Sequence, residues 1–118
     1  MKIISPAQHG YLDYLTVLLF LAAPTLFGMT GMASIFAYLL AGIHLAMTIA
    51  TDFPLGAFKL IPFAFHGWVE RVVGPVLVVL PFAFGFATLS TYFYVGIGIV
   101  IIIVGLLTDY GQIDNLTS

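Results

Sequence analysis

Residues 91–108 read TYFYVGIGIVIIIVGLLT, a run without one charged side chain that stops against Asp109. Coiled into an α-helix at ~1.5 Å per residue, such a run is roughly 27 Å long, close to the ~30 Å hydrocarbon core of a bilayer. The alternating polarity of a barrel strand is absent. Working outward, comparable apolar runs cover residues 11–27, 33–51 and 68–86. The whole chain is 62% hydrophobic and 7% charged, with a mean hydropathy of +1.17. A soluble domain keeps about a quarter of its residues charged. The fold expected is therefore all-α: a polytopic membrane protein whose four transmembrane helices form a bundle surrounded by lipid.

Function classes fall away quickly. Net charge is −2, and the only basic residues are Lys2, Lys59 and Arg71, which excludes an electrostatic nucleic-acid surface. Cysteine is absent, so disulfides, thiolate metal sites and cysteine nucleophiles are excluded. No serine or threonine has a base at catalytic spacing, and no glycine-rich phosphate loop occurs. No catalytic activity is expected. Lys2 ahead of an apolar run ending near Ala22-Ala23 resembles a secretory leader. Asp13 interrupts that pattern, however, and the segment has a near copy later on, so it reads as a retained span.

That copy emerges when the sequence is slid against itself by 57 positions. Lys2 then meets Lys59, His9-Gly10 meets His66-Gly67, Pro24 meets Pro81, Phe27-Gly28 meets Phe84-Gly85, and Thr51-Asp52 meets Thr108-Asp109. Asp13 falls on Glu70 and Tyr11 on Trp68. Residues 1–57 and 58–114 thus read as two tandem copies of a two-helix unit, with 115–118 as a short tail. Two spans per unit give both copies the same orientation, so the repeat is parallel.

The stretches Ala23-Pro24-Thr25-Leu26-Phe27-Gly28 and Leu80-Pro81-Phe82-Ala83-Phe84-Gly85 resemble the motif of the SPW-repeat family of small bacterial membrane proteins. The motif's proline and the glycine four residues on are kept, while its serine and tryptophan are replaced in both copies. The resemblance covers nearly the whole chain. It implies a bacterial integral membrane protein of two-helix units, and no particular activity.

Antiparallel spans would gather every formal charge on one side: Lys2, Asp13, Asp52, Lys59, Glu70, Arg71, Asp109 and Asp114. Basic residues mark the cytoplasmic face, which places both termini inside the cell's inner (plasma) membrane. Tyr11, Tyr14, Trp68 and Tyr110 would form an inner aromatic belt, with Tyr38, Tyr92 and Tyr94 near the outer interface. The linker 53–65 is too short to span and should lie in the inner interface, Lys59 reaching to water. Asn115-Leu116-Thr117 fits a glycosylation acceptor that an inside tail would never expose. Gly74-Pro75 should kink its span, and Pro24 and Pro81 should bend or end theirs. Ala33, Ala37 and Ala41, then Gly42, Ala46 and Ala50, offer small-residue faces for close helix packing, within the bundle or between copies.

Three constellations could carry chemistry. His9 with Asp13, and His66 with Glu70, each stand at i, i+4 on one helix face. A two-fold axis would bring the pairs together as a His9, Asp13, His66, Glu70 metal site, for zinc, iron or manganese. His9 and His66, with His44 as a further candidate, would alternatively ligate haem iron. The bland alternative is a pair of interfacial helix starts. Asp52 and Asp109 end the even helices against the dipole and call for cations, for which Lys2, Lys59 and Arg71 are the candidates for structural ion pairs. His44, Thr48 and Asp52 form a polar stripe present in the first copy only, and an ionisable residue at membrane depth suggests function. The leading expectation is a non-enzymatic membrane protein, a homo-oligomer or an accessory subunit of a larger membrane complex. Metal or haem binding comes second, and proton or ion conduction third.

Overall fold

The computed structural model describes residues 2–111, so Asp114, the acceptor-like Asn115 and the end of the second unit lie outside it. Four helices follow one another: α1 (Pro6–Leu26), α2 (Gly31–Ala50), α3 (Phe63–Phe84) and α4 (Thr88–Leu107). The fold is all-helical apart from a short parallel pairing of β1 (Thr51–Asp52) with β2 (Ile61–Pro62) and one parallel bridge between Ile4 and Thr108. Helices α2, α3 and α4 are each long and apolar enough to cross a membrane. Helix α1 is as long, but Gln8, His9 and Asp13 lower its hydropathy.

Local chemistry explains the boundaries. Ser5 accepts from the Gln8 amide while its own amide donates to the Gln8 side chain, a capping box that starts α1 with Pro6 in its first turn. Gly85, at φ 64°, ends α3 in the left-handed conformation that favours glycine. At the end of α2 the linker folds back. Ala57 donates to Ile49 O and Leu60 to Ala50 O, satisfying carbonyls that the last helical turn leaves open.

Contacts are dense within each hairpin, α1 with α2 and α3 with α4, and sparse between hairpins. Between α3 and α4 the backbones meet at Gly74 and Gly98, where a Cβ on Gly98 would lie 2.8 Å from Gly74 O. Ala33, Ala37 and Ala41 are buried inside the bundle, whereas Gly42 and Ala46 face outward. The outward surface is otherwise built of large apolar side chains such as Leu18, Leu21, Val72, Val79, Ile99 and Ile103, which is compatible with a lipid surround.

Several expectations need correction. The odd helices begin about five residues earlier than the apolar runs, at Pro6 and Phe63, and run on past Pro24 and Pro81. The linker does not simply lie in an interface: Phe53 and Phe63 stack at 5.2 Å and are buried. Lys59, although exposed, donates to Phe53 O at 2.7 Å. Tyr94 is fully buried, its hydroxyl donating to Ala33 O at 2.6 Å. An aromatic ring at that depth needs a polar partner, and the first-turn carbonyl of α2 supplies one.

Gly98→Ala should lower stability by about 1–3 kcal/mol, since its methyl must displace backbone. Gly96, with nothing within 4 Å of its would-be Cβ, should accept alanine without loss. Denaturant titration of the two variants in mixed micelles checks the contrast; equal stability would contradict the packing described.

Candidate metal centre

The early helix starts place His9 and Asp13 one turn apart on α1, and His66 and Glu70 one turn apart on α3. The two faces meet. His9 Nε2 lies 3.2 Å from Asp13 Oδ1 and 3.1 Å from Glu70 Oε2; His66 Nε2 lies 3.0 Å from Asp13 Oδ2 and 2.8 Å from Glu70 Oε1. One donor atom from each of the four residues fits within 4.8 Å of all the others, and all four residues are buried. His44 of α2 joins from the side, its Nε2 3.5 Å from Asp13 Oδ1 and 3.9 Å from Glu70 Oε1.

The outer ring nitrogens decide what the inner ones can do. His9 Nδ1 contacts Thr108 Oγ1 at 2.8 Å, and His66 Nδ1 contacts Thr51 Oγ1 at 2.8 Å. Each hydroxyl has one proton and donates it to its own helix, Thr108 to Val104 O and Thr51 to Met47 O, both at 2.6 Å. The hydroxyls can therefore only accept from the rings, which makes Nδ1 the protonated nitrogen of both histidines. A neutral imidazole so held aims a bare Nε2 lone pair at carboxylate oxygens. Something positive must sit between them.

Protons on both imidazoles would balance the charge, but each then needs a well-directed N–H···O bond. His66 has one, to Glu70. His9 Nε2 has none, and neither have Asp13 Oδ2 and His44 Nε2, although all three are buried. A divalent cation also balances two carboxylates. With metal–ligand bonds of ~2.0–2.1 Å, neighbouring ligand atoms stand about 2.8–3.0 Å apart in octahedral and about 3.3–3.4 Å apart in tetrahedral geometry. The four contacts between the paired residues, 2.8–3.2 Å, lie close to the octahedral spacing and involve both oxygens of each carboxylate. Haem does not fit: the His9 and His66 ring centroids stand only 5.4 Å apart, with Asp13 and Glu70 oxygens 2.8–3.2 Å from both Nε2 atoms, where a macrocycle would have to lie.

Aromatic rings close the near end of the cluster. Phe63 packs edge-on against His9 at 5.3 Å, Phe53 lies 6.0 Å from His66, and Tyr110 lies 5.6 Å from His9 and 4.7 Å from Phe63. Burial, reinforced by the Glu70 and Asp13 carboxylates, pushes the Tyr110 hydroxyl above its ordinary pKa, so the phenol stays neutral. Gly10 and Gly67 make room for this cover. A Cβ on Gly10 would meet Phe53 at 2.8 Å, and one on Gly67 would meet Tyr110 at 2.6 Å.

The remaining candidates lie elsewhere. Among the described residues no lysine or arginine pairs with a carboxylate. Lys2 reaches Leu106 O at 3.4 Å, Lys59 takes Phe53 O, and Arg71 lies over the Trp68 and Tyr110 rings at 5.0 and 5.6 Å. Asp52 is exposed in β1, and Asp109 accepts from the Gly111 amide at 3.1 Å. The expected ion pairs are thus replaced by bonds to the backbone carbonyls of Leu106 and Phe53 and by aromatic faces, which need no second charge. The stripe breaks too: His44 turns to the cluster, Thr48 is buried, and Asp52 points away. Thr51 and Thr108, matched at the 57-residue offset beside Asp52 and Asp109, are given no role of their own in the sequence reading. No protein-family model, no curated protein and no solved structure matches the chain.

Thr51→Val and Thr108→Val each strand a buried ring N–H, so each should cost about 1–3 kcal/mol of stability. Thr16→Val should change little, because the Thr16 hydroxyl serves only Leu12 O of its own helix. Unfolding midpoints of the three variants, compared in one detergent, check the difference.

Proposed function

We propose that this chain is a small membrane protein that holds a divalent first-row transition-metal ion inside a four-span bundle, through His9, Asp13, His66 and Glu70, with His44 beside them. The observation that carries the reading is the convergence of two Nε2 atoms and two carboxylates on one buried point, where His9 Nε2, Asp13 Oδ2 and His44 Nε2 lack a hydrogen-bond partner. Nitrogen and oxygen donors without sulfur suit zinc, iron or manganese. Because α1 supplies one half of the donors and α3 the other, the ion would also staple together two hairpins that otherwise touch little.

The same contacts support the architecture. Helix α1, 21 residues long, carries its polar groups inward, so the cost of Asp13 and His9 is met within the bundle and α1 crosses as a fourth span. A tandem repeat accounts for contacts that recur at a 57-residue offset. His9–Thr108 answers His66–Thr51, the Ile4–Thr108 bridge answers Ile61–Thr51, and Phe53 over Gly10 answers Tyr110 over Gly67. Lys2, Lys59 and Arg71 all make their contacts at the end that carries the Ile4–Thr108 bridge, in keeping with both termini on the cytoplasmic side of the inner membrane. Membership in the SPW-repeat family would fit the two-helix unit.

The metal reading takes precedence over a purely structural subunit because buried carboxylates and imidazoles are costly ornaments for a scaffold. Self-association or docking to other subunits remains open to the outward Gly42 and Ala46 face. Conduction is disfavoured: beyond His44 the bundle is filled by Phe20, Ala23, Leu77 and Tyr94, which offer a proton no hydrogen-bonded route.

Protein purified gently from its own membranes should contain about one equivalent of metal by elemental analysis and, once stripped, should take up Co2+ with a visible ligand-field band. His9→Ala and His66→Ala should each weaken Co2+ binding about a hundredfold or more, at or above the 10–100-fold effect of losing an outer partner. His44→Ala should cost less, given its longer contacts. Clean elemental analysis together with a featureless Co2+ titration would remove the proposal.

A further inference from the structure

We infer that the cleft between α1 and α4 is a binding site for a small, uncharged, membrane-soluble molecule with a hydroxyl on an apolar ring, a phenol in chemical class. The cleft is a cavity of about 120 Å³ that ends on Asp13, Glu70 and His44. Its walls are mostly apolar, formed by Leu12, Leu15 and Leu19 of α1 and Ile97, Val100 and Val104 of α4, with the hydroxyl of Thr16, which donates to Leu12 O, as the one polar group among them. An apolar pocket with a few convergent polar groups at its floor is the usual form of a small-molecule site. Waters would find one hydroxyl along these walls, that of Thr16, whereas one six-membered ring fills the space largely with apolar contact.

The floor selects the head group. Asp13 and Glu70 side chains are only 5% and 4% exposed. Asp13 Oδ2, although 3.0 Å from His66 Nε2, and His44 Nε2 are buried without a directed hydrogen bond. A carboxylate oxygen only accepts, so the molecule that satisfies it must donate. An anion would meet two carboxylates, and an organic cation entering by this cleft would have to cross hydrocarbon at heavy cost. A neutral hydroxyl meets both demands.

The route is set by what is closed. Phe53, Phe63 and Tyr110 cover the cluster from the end where the linker lies. The α1–α4 seam is loosely packed, and Leu15 and Val100 at its mouth are 50% and 48% exposed. In the four-span reading that mouth faces lipid. Asp13 lies seven residues into α1, ~10 Å along the helix from its start, so a ligand enters sideways from the membrane. His44 gives the cleft its third polar group; the matching residue of the second unit is the apolar Ile101, which lines the wall.

The inference rests on the metal reading only for what the hydroxyl meets beyond Asp13 and His44, and the two fail separately. Binding of 4-fluorophenol to the full chain in micelles, read by ¹⁹F NMR against empty micelles and with fluorobenzene as the control, tests it. Saturable binding of 4-fluorophenol, with fluorobenzene much weaker, is expected. Val100→Trp and Leu15→Phe, which crowd the mouth from a lipid-facing position, should weaken it about tenfold or more while Co2+ uptake is unchanged. Wild-type protein indistinguishable from empty micelles, or undiminished binding in both variants, would overturn the site. Intact 4-fluorophenol binding in protein that takes up no Co2+ would support the cleft and remove the metal.

Discussion

Two carboxylates buried against imidazoles are the constraint on which this molecule turns. A carboxylate moved from water into a helix bundle loses several kcal/mol of solvation and persists only if paired and hydrogen-bonded. Asp13 and Glu70 face three histidines and need positive charge shared with them, while His9 and His66 are held in turn by Thr108 and Thr51. Each layer orients the next. Helix-end carbonyls hold the threonine hydroxyl protons, the hydroxyls hold a proton on each Nδ1, and each Nε2 is thereby turned toward the carboxylates. An arrangement of this kind fixes ligand orientation before any ion arrives.

The same demand organises the ends of the helices. The linker between the hairpins folds back over the last turn of α2 and delivers Phe53 and Phe63 onto the histidines. Tyr110, after α4, does the corresponding work from the other unit. Both covers require glycine beneath them, at Gly10 and Gly67. Away from the cluster the hairpins touch little, and their outward surfaces are apolar. Polar chemistry is therefore concentrated at one level, where it joins the two halves and where a lateral cleft reaches it.

Much of this was legible in the residues. The apolar runs gave the number and order of helices, and the 57-residue offset singled out the two His–carboxylate pairs and suggested that they meet. Scarcity made that possible: histidine, proline and charge stand out in a chain this apolar. What escaped notice did so for physical reasons. Helix starts at Pro6 and Phe63 precede the apolar runs, because capping and burial, not hydropathy, set them there. Thr51 and Thr108 looked like neighbours of the more conspicuous Asp52 and Asp109, yet only the threonines face inward. The place of His44 depended on how one hairpin rotates against the other, which spacing along a single helix does not specify. Tyr94, read as interfacial, lies inside because Ala33 offers its hydroxyl a carbonyl.

Histidine-selective ¹⁵N NMR tests the central claim most directly, because it reports which ring nitrogens carry protons. At neutral pH with Zn2+ added, His9 and His66 should keep a protonated Nδ1, and Nε2 of both should move to the position of a metal-bound nitrogen. Both nitrogens of both rings protonated, with spectra indifferent to Zn2+, would contradict the account and leave a proton-balanced cluster in its place.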